Sequence, residues 1–74
     1  LEAAQSGPRE RALYQALLQL PEKYRLVLYL YYYEDRTAAE IAQALGISVS
    51  GVTSRLARGR ARLKKALKGE LDDV

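Results

Sequence analysis

Residues 37–56, TAAEIAQALGISVSGVTSRL, contain the start and stop signals of two helices joined by a very short turn. Thr37 and Glu40 have the spacing of a capping box, in which each side chain bonds the backbone N–H of the other residue. Gly46 stands where a helix can end in a left-handed residue, and Ser48 is a favoured N-cap for a following helix. The stretch therefore predicts a short helix that ends near Leu45 and a further helix that begins just after Ser48.

Two helices joined by so short a turn must cross steeply, and their close approach requires a small residue such as Ala42. The apolar side chains predicted to fill the space between them are Ile41, Leu45, Ile47, Val52 and Leu56. This spacing is typical of a helix-turn-helix, whose second helix enters the major groove of DNA by its N-terminal end. The alternative is an ordinary helical hairpin within a small bundle.

Helical spacing continues on both sides of this stretch, and no strand pattern is evident. Apolar residues predict a first helix from Arg9, and Pro21 ends it and suits the first turn of a second helix that runs to about Tyr33. Asp35 can adopt the left-handed conformation that ends a helix.

The fourth helix is predicted to run from Val49 to about Lys68. Its core face is expected to hold Val49, Val52, Leu56, Leu63 and Leu67. Gly59 lies inside it and should cost about 1 kcal/mol relative to Ala. The expected fold is an all-α, small four-helix domain with a C-terminal helix-turn-helix. Residues 1–8 are expected to be a linker or disordered terminus, residues 9–68 the domain and residues 69–74 a C-terminal tail.

Positive charge is concentrated in one segment of the chain. Residues 41–69 contain no acid and seven basic residues, whereas the remainder contains five basic and nine acidic residues. Clustered Arg and Lys neutralise phosphates and release counterions, so this segment favours a polyanionic partner. The alternative is a solvated helix face.

The composition excludes several classes of function. The chain has 74 residues, a net charge of +3, and no Cys, His, Met or Trp, so thiolate chemistry, imidazole bases and the usual zinc sites are not available. We expect no enzyme, no metal site and no cofactor. No apolar run reaches the roughly 20 residues that span a bilayer, so no membrane partner is expected. The first residue is Leu1 rather than Met, which predicts a fragment of a longer protein.

Several short motifs together resemble region 4 of bacterial sigma factors. They include Leu20-Pro21, Glu40-Ile41-Ala42, Leu45-Gly46-Ile47 and Ser54-Arg55-Leu56. The segment VTSRLARGRARL is most similar to the extracytoplasmic-function branch. The resemblance implies recognition of double-stranded promoter DNA at the −35 element, docking on the β flap of RNA polymerase, a bacterial cytoplasmic location, regulation by an anti-sigma factor, and a preceding domain for the −10 element. EIAQALGIS alone would also fit the DNA-binding domains of response regulators.

Candidate DNA contacts fall into two groups. The base-contact candidates on the outer face of the fourth helix are Ser50, Thr53, Ser54, Ala57 and Arg58. The phosphate-contact candidates, which would position the protein without reading sequence, are Thr37, Ser48, Arg55, Arg60, Arg62 and Lys65. Sigma factors usually have Lys or Arg at the position of Thr53 and a larger residue at that of Ala57, so no particular −35 sequence can be transferred.

The second helix is apolar nearly all round. One face, with Tyr24, Val27, Leu28 and Tyr31, is predicted to be core. A second stripe, formed by Leu26, Tyr29 and Tyr33, is predicted to dock a protein partner, because a small domain can cover few such faces. Stacking of tyrosines on single-stranded nucleic acid is a weaker alternative. Two other possibilities are a protein-interaction module without DNA binding and a fourth helix that binds a membrane surface or calmodulin.

Overall fold

The computed structural model describes residues 7–72, and every regular element in this range is a helix. In chain order the helices are α1 (Pro8–Leu18), α2 (Glu22–Tyr32), α3 (Ala38–Leu45) and α4 (Val49–Asp72). The prediction of an all-α domain with a C-terminal helix-turn-helix is confirmed. The expected linker at residues 1–6 and the end of the expected tail at residues 73–74 lie outside the described range.

Two prolines begin the first two helices. Pro8 is the first residue of α1, one position before the predicted start, with Gly7 as its N-cap. Pro21 is the N-cap of α2, and its carbonyl accepts hydrogen bonds from the N–H groups of Tyr24 and Arg25 at 3.0 Å. Because the first N–H groups of a helix have no partner within it, a proline at this place sacrifices no hydrogen bond.

The two residues predicted to be left-handed are so: Gly46 is the C-cap of α3, and Asp35 follows the right-handed C-cap of α2, Tyr33. Asp35 has a φ of 56°, and Gly46 has a φ of 70°. The chain reversal after α2 lets the N–H of Arg36 reach the carbonyl of Leu30 at 3.0 Å, and after α3 the N–H of Ile47 reaches the carbonyl of Ala42 at 3.0 Å. Carbonyls at the two helix ends thus keep backbone partners.

The core lies along α4, which packs against each of the other three helices. The buried apolar cluster is formed by Leu17, Leu20, Tyr24, Val27, Leu28, Ile41, Ala42, Val52 and Leu56. Leu45 and Ile47 are half-buried against it. The side chains predicted to fill the space between α3 and α4 therefore do so.

Two side chains predicted to be core are instead exposed. Tyr31 is 37% exposed and packs edge-on against Tyr32, because burial on α2 extends to Leu30 instead. Val49 is 48% exposed, since it lies at the first position of α4, ahead of the first buried residue of that helix, Val52.

Gly59 allows α2 and α4 to cross closely. A Cβ at this position would lie 3.0 Å from Cδ1 of Leu28 and 3.3 Å from Cβ of Tyr24. The sequence suggested only a loss of helix propensity here. The structure shows that the missing side chain makes room for the fully buried Leu28.

The fourth helix is longer than predicted. It continues to Asp72, so residues 69–72 are helical rather than a separate tail. Gly69 does not end it, because a single glycine weakens a helix without removing a hydrogen bond. The described part of the chain, residues 7–72, is thin, with principal extents of 39 × 30 × 14 Å.

Candidate nucleic-acid interface

The turn between α3 and α4 is built by the predicted caps. The N–H of Glu40 donates to Oγ1 of Thr37 at 3.1 Å, and the N–H of Thr37 donates to Oε1 of Glu40 at 2.9 Å. At the start of α4 the N–H of Gly51 donates to Oγ of Ser48 at 3.0 Å. These bonds fix the ends of both helices, so the outer face of α4 is presented in one orientation.

All five base-contact candidates lie on that outer face. Ser50, Thr53, Ser54, Ala57 and Arg58 are each exposed. The residues between them, Val52 and Leu56, are buried against the rest of the domain. This alternation follows from the helical repeat, since residues three and four apart share one face. The structure therefore brings the predicted group together on one accessible surface.

Hydroxyl groups near the N-terminal end of α4 are engaged with one another and with the helix. Oγ of Ser48 and Oγ of Ser50 lie 3.3 Å apart. Oγ1 of Thr53 donates to the carbonyl of Ser50 at 3.0 Å. Because a hydroxyl has one hydrogen to donate, Thr53 in this rotamer can offer a base only its lone pairs.

The phosphate-contact candidates surround the outer face. Arg60, Arg62 and Lys65 are exposed, and Arg55 is half-buried. Thr37 and Ser48 lie at the N-termini of α3 and α4, where the helix dipole is positive and attracts anions. The Thr37 hydroxyl accepts the bond from Glu40 and retains its own hydrogen as a donor.

Two tyrosines of α2 contact arginines of α4, which the sequence did not indicate. Nε of Arg60 donates to the hydroxyl of Tyr32 at 2.7 Å. Cζ of Arg62 lies 5.1 Å from the centre of the Tyr24 ring. Tyr24 and Tyr32 precede and follow Leu28 by one turn each, a spacing visible in the sequence. This spacing indicates contacts with arginines only when it is known that α2 crosses α4 beside Leu28.

Charges around Tyr24 and Tyr33 shift their pKa values in opposite directions. Desolvation raises the pKa of the Tyr24 hydroxyl, but the positive charges of Lys23, Arg62 and Arg58 together lower it below the ordinary value. Desolvation raises the pKa of Tyr33, and the carboxylate of Glu10 raises it further. The first shift reflects the cationic side chains around Tyr24, and the second reflects mainly the desolvation of the Tyr33 hydroxyl.

The predicted docking stripe is exposed. Leu26 is 37%, Tyr29 39% and Tyr33 48% exposed, and the rings of the two tyrosines stack with centres 5.2 Å apart. The placement of all three side chains on the surface agrees with the prediction from their spacing.

A groove that the sequence analysis missed lies beside this stripe. Its volume is about 480 Å³, and it is lined by Glu10, Arg11, Leu13, Tyr14, Leu17, Leu28, Tyr32, Tyr33 and Leu63. Tyr33 belongs to both surfaces, so the groove continues the stripe toward α1. Within residues 7–72 no helix combines the length and the apolar character needed to cross a bilayer.

Comparison with known proteins identifies relatives of this chain. Residues 10–63 match the family model for sigma-70, region 4. The chain is 47% identical over 51 residues to the RNA polymerase sigma factor SigZ of Bacillus subtilis, a match that covers 69% of this chain and 29% of SigZ. It is 37% identical over 67 residues to the ECF RNA polymerase sigma factor SigW of the same organism, covering 90% of this chain and 36% of SigW.

A third relative is the RNA polymerase sigma factor FliA of Pseudomonas aeruginosa, which is 43% identical over 58 residues, or 78% of this chain and 24% of FliA. The chain thus spans about a third or less of the length of these relatives. No solved structure matches it.

Proposed function

The chain belongs to the sigma-70 region 4 family, and on this basis we propose that it recognises the −35 element of bacterial promoters and so directs RNA polymerase to initiate transcription. The observation that carries the proposal is the outer face of α4, where five exposed candidates stand in a segment without an acid. The family match also favours a sigma factor over the response-regulator type of helix-turn-helix.

Recognition would begin at the N-terminal end of α4. The major groove of B-DNA is about 12 Å wide and admits a helix, and its base edges present a distinct pattern for each base pair. Ser50 and Ser54 offer short hydroxyls there. Arg58, one turn further along, can donate two parallel hydrogen bonds to guanine, the commonest specific contact of an arginine.

Affinity without sequence preference would come from the phosphates. Thr37 and Ser48 would bring two helix N-termini to the phosphate backbone of the DNA. The other phosphate-contact candidates, which would add positive charge along α4, are Arg55, Arg60, Arg62 and Lys65.

The exposed stripe and the adjoining groove support a second role in protein docking. Both surfaces are mainly apolar and lie on α1 and α2, with Leu63 of α4 at one side of the groove, and none of the base-contact candidates belongs to them. We propose RNA polymerase as the partner, through its β flap, and an anti-sigma factor as a competing partner. The family consists of non-enzymatic initiation factors, and the proposed place of action is the bacterial cytoplasm, where the polymerase works.

Selection from a library of random duplexes tests the proposal. The wild-type chain should enrich one sequence motif. Arg58→Ala should then lose about 1–3 kcal/mol of binding free energy on the enriched duplex and little on a scrambled one. Arg62→Ala is the control, and it should weaken both duplexes alike. Enrichment of no motif by the wild-type chain would contradict sequence-specific recognition, and equal losses for Arg58→Ala on both duplexes would assign Arg58 to a phosphate.

A further inference from the structure

Arg60 and Arg62 lie on opposite flanks of α4. Successive helical residues are rotated by about 100°, so these two side chains leave the helix about 100° to either side of Ala61. Ala61 is exposed and faces away from the side of the helix that contains the buried Gly59 and the half-buried Leu63. A helix that lies in the major groove has one phosphate backbone on each side. Each arginine therefore faces the flank on which one of the two backbones would run.

Each flanking arginine contacts a tyrosine of α2. On one flank the Arg60 guanidinium donates through Nε to the Tyr32 hydroxyl at 2.7 Å, with Cζ 5.9 Å from the ring centre. On the other flank the Arg62 guanidinium lies over the ring of Tyr24, with Cζ 5.1 Å from its centre. Tyr24 is buried, whereas Tyr32 is 53% exposed. Tyr32 can therefore be changed with little effect on the core.

The bond to Tyr32 leaves Arg60 able to bind a phosphate. A guanidinium has five N–H donors, and the Nε donor used here leaves the four on the Nη atoms. Those four donors match the oxygens of a phosphate in a bidentate arrangement. A long side chain loses rotamer freedom when it is immobilised at an interface, and a partner that already restrains it removes part of that loss.

We propose that Tyr32 is a positioning residue that holds the Arg60 guanidinium ready for a DNA phosphate. This inference rests on the proposed DNA-binding function and adds a residue of α2, outside the helix-turn-helix, to the DNA interface. Tyr32 touches no DNA in this mechanism and acts through Arg60. The contact of Tyr24 with Arg62 gives the opposite flank a similar restraint.

A double-mutant cycle on a short random-sequence duplex tests the inference. The four chains are the wild type, Tyr32→Phe, Arg60→Ala and the double variant, each with its dissociation constant measured at low salt. Tyr32→Phe keeps the ring and removes only the hydroxyl, so it should weaken binding about threefold in the wild-type background. It should have no effect in the Arg60→Ala background. Thermal melting should show that all four chains fold.

Tyr29→Phe is the matched control, since Tyr29 is also an exposed tyrosine of α2 but stacks on Tyr33. It should leave DNA affinity unchanged. Equal effects of Tyr32→Phe in both backgrounds would overturn the inference by assigning Tyr32 a structural role or its own DNA contact. Unchanged affinity in Tyr32→Phe, with DNA binding by the wild type intact, would overturn the inference and leave the proposed function standing. Failure of the wild type to bind any duplex would contradict both.

Discussion

At the scale of single residues, Gly59 decides how closely α2 and α4 approach. Two effects of Gly59→Ala oppose each other. The added methyl group favours the helical backbone by about 1 kcal/mol. It would also meet Leu28 and Cβ of Tyr24 at 3.0–3.3 Å, and overpacking of this kind typically costs about 1–3 kcal/mol. Since Leu28 is fully buried and Cβ of Tyr24 is fixed to its backbone, we expect net destabilisation of about 1 kcal/mol.

Chemical denaturation of Gly59→Ala beside Ala61→Gly would check this expectation. Ala61 is exposed on the same helix, so Ala61→Gly reports helix propensity alone and should destabilise by about 1 kcal/mol. At the exposed position 61, alanine should thus give a more stable chain than glycine. At position 59, glycine should give the more stable chain. A stabilised Gly59→Ala chain would mean that Leu28 moves aside easily.

Contacts between single residues could be predicted from the sequence only where the two residues are close together along the chain. The bonds between Thr37 and Glu40 were predicted atom by atom, because residues three apart at a helix start have few arrangements. The bond between Arg60 and Tyr32 joins residues 28 positions apart. No local pattern predicts it, since it follows from the angle at which α2 crosses α4. The role of Gly59 was missed for the same reason.

At the scale of helices, α3 depends on its two ends. It has eight residues, fewer than an isolated helix needs to be stable in water. Thr37→Ala removes the hydroxyl that accepts from Glu40, and loss of such a cap costs about 1 kcal/mol. We expect the free energy of unfolding to fall by that amount in denaturant titrations.

Thr37→Ser is the matched control, because it keeps the hydroxyl and should leave stability within a few tenths of a kcal/mol of the wild type. If the serine and alanine variants were equally stable, the capping bond would contribute nothing to the fold.

Helix boundaries were predictable where a residue type changes the backbone chemistry. Pro21, Asp35, Gly46 and Ser48 each stand at a helix end that the structure confirms. The predicted end of α4 near Lys68 was wrong, because Gly69 is only a weak signal for the end of a helix when no proline follows it. Which face of α2 is buried could be predicted only in part. Periodicity alone cannot say how far along a helix its neighbours extend, and so Tyr31 was misassigned.

At the scale of the whole molecule, the uneven charge makes DNA binding depend on salt. If about four cations of α4 meet phosphates, the logarithm of the association constant should fall with the logarithm of salt concentration with a slope near −3.6. Arg62→Ala should reduce the magnitude of this slope by about 0.9, the value of one phosphate contact. Fluorescence anisotropy of a labelled duplex, titrated at a series of salt concentrations, measures this slope for both chains. A slope near zero for the wild type would contradict an electrostatic interface.

The exposed stripe of α2 gives a prediction that is independent of DNA. Tyr29→Ser should lower the melting temperature only modestly and leave the chain folded, because the side chain lies outside the buried core and is 39% exposed, although it stacks on Tyr33. If Tyr29 anchors a partner, its loss should weaken binding to purified RNA polymerase by about 2 kcal/mol or more.

Tyr31→Ser serves as the control for this variant, since Tyr31 is 37% exposed and lies off the stripe. It should bind polymerase as the wild type does. A Tyr29→Ser chain that no longer folds would place Tyr29 in the core, and one with unchanged polymerase binding would remove the stripe from the docking surface.

The smallest dimension of the domain, 14 Å, has an electrical consequence. It is close to the Debye length, which is about 10 Å at 0.1 M salt, and the protein interior contains no mobile ions to screen a field. Because α2 packs directly against α4, the charge of DNA on the outer face of α4 would be felt by a partner docked on α2. An acidic partner there would be repelled by the DNA without touching it. By thermodynamic reciprocity that partner would loosen the DNA by the same factor, and added salt would weaken the antagonism.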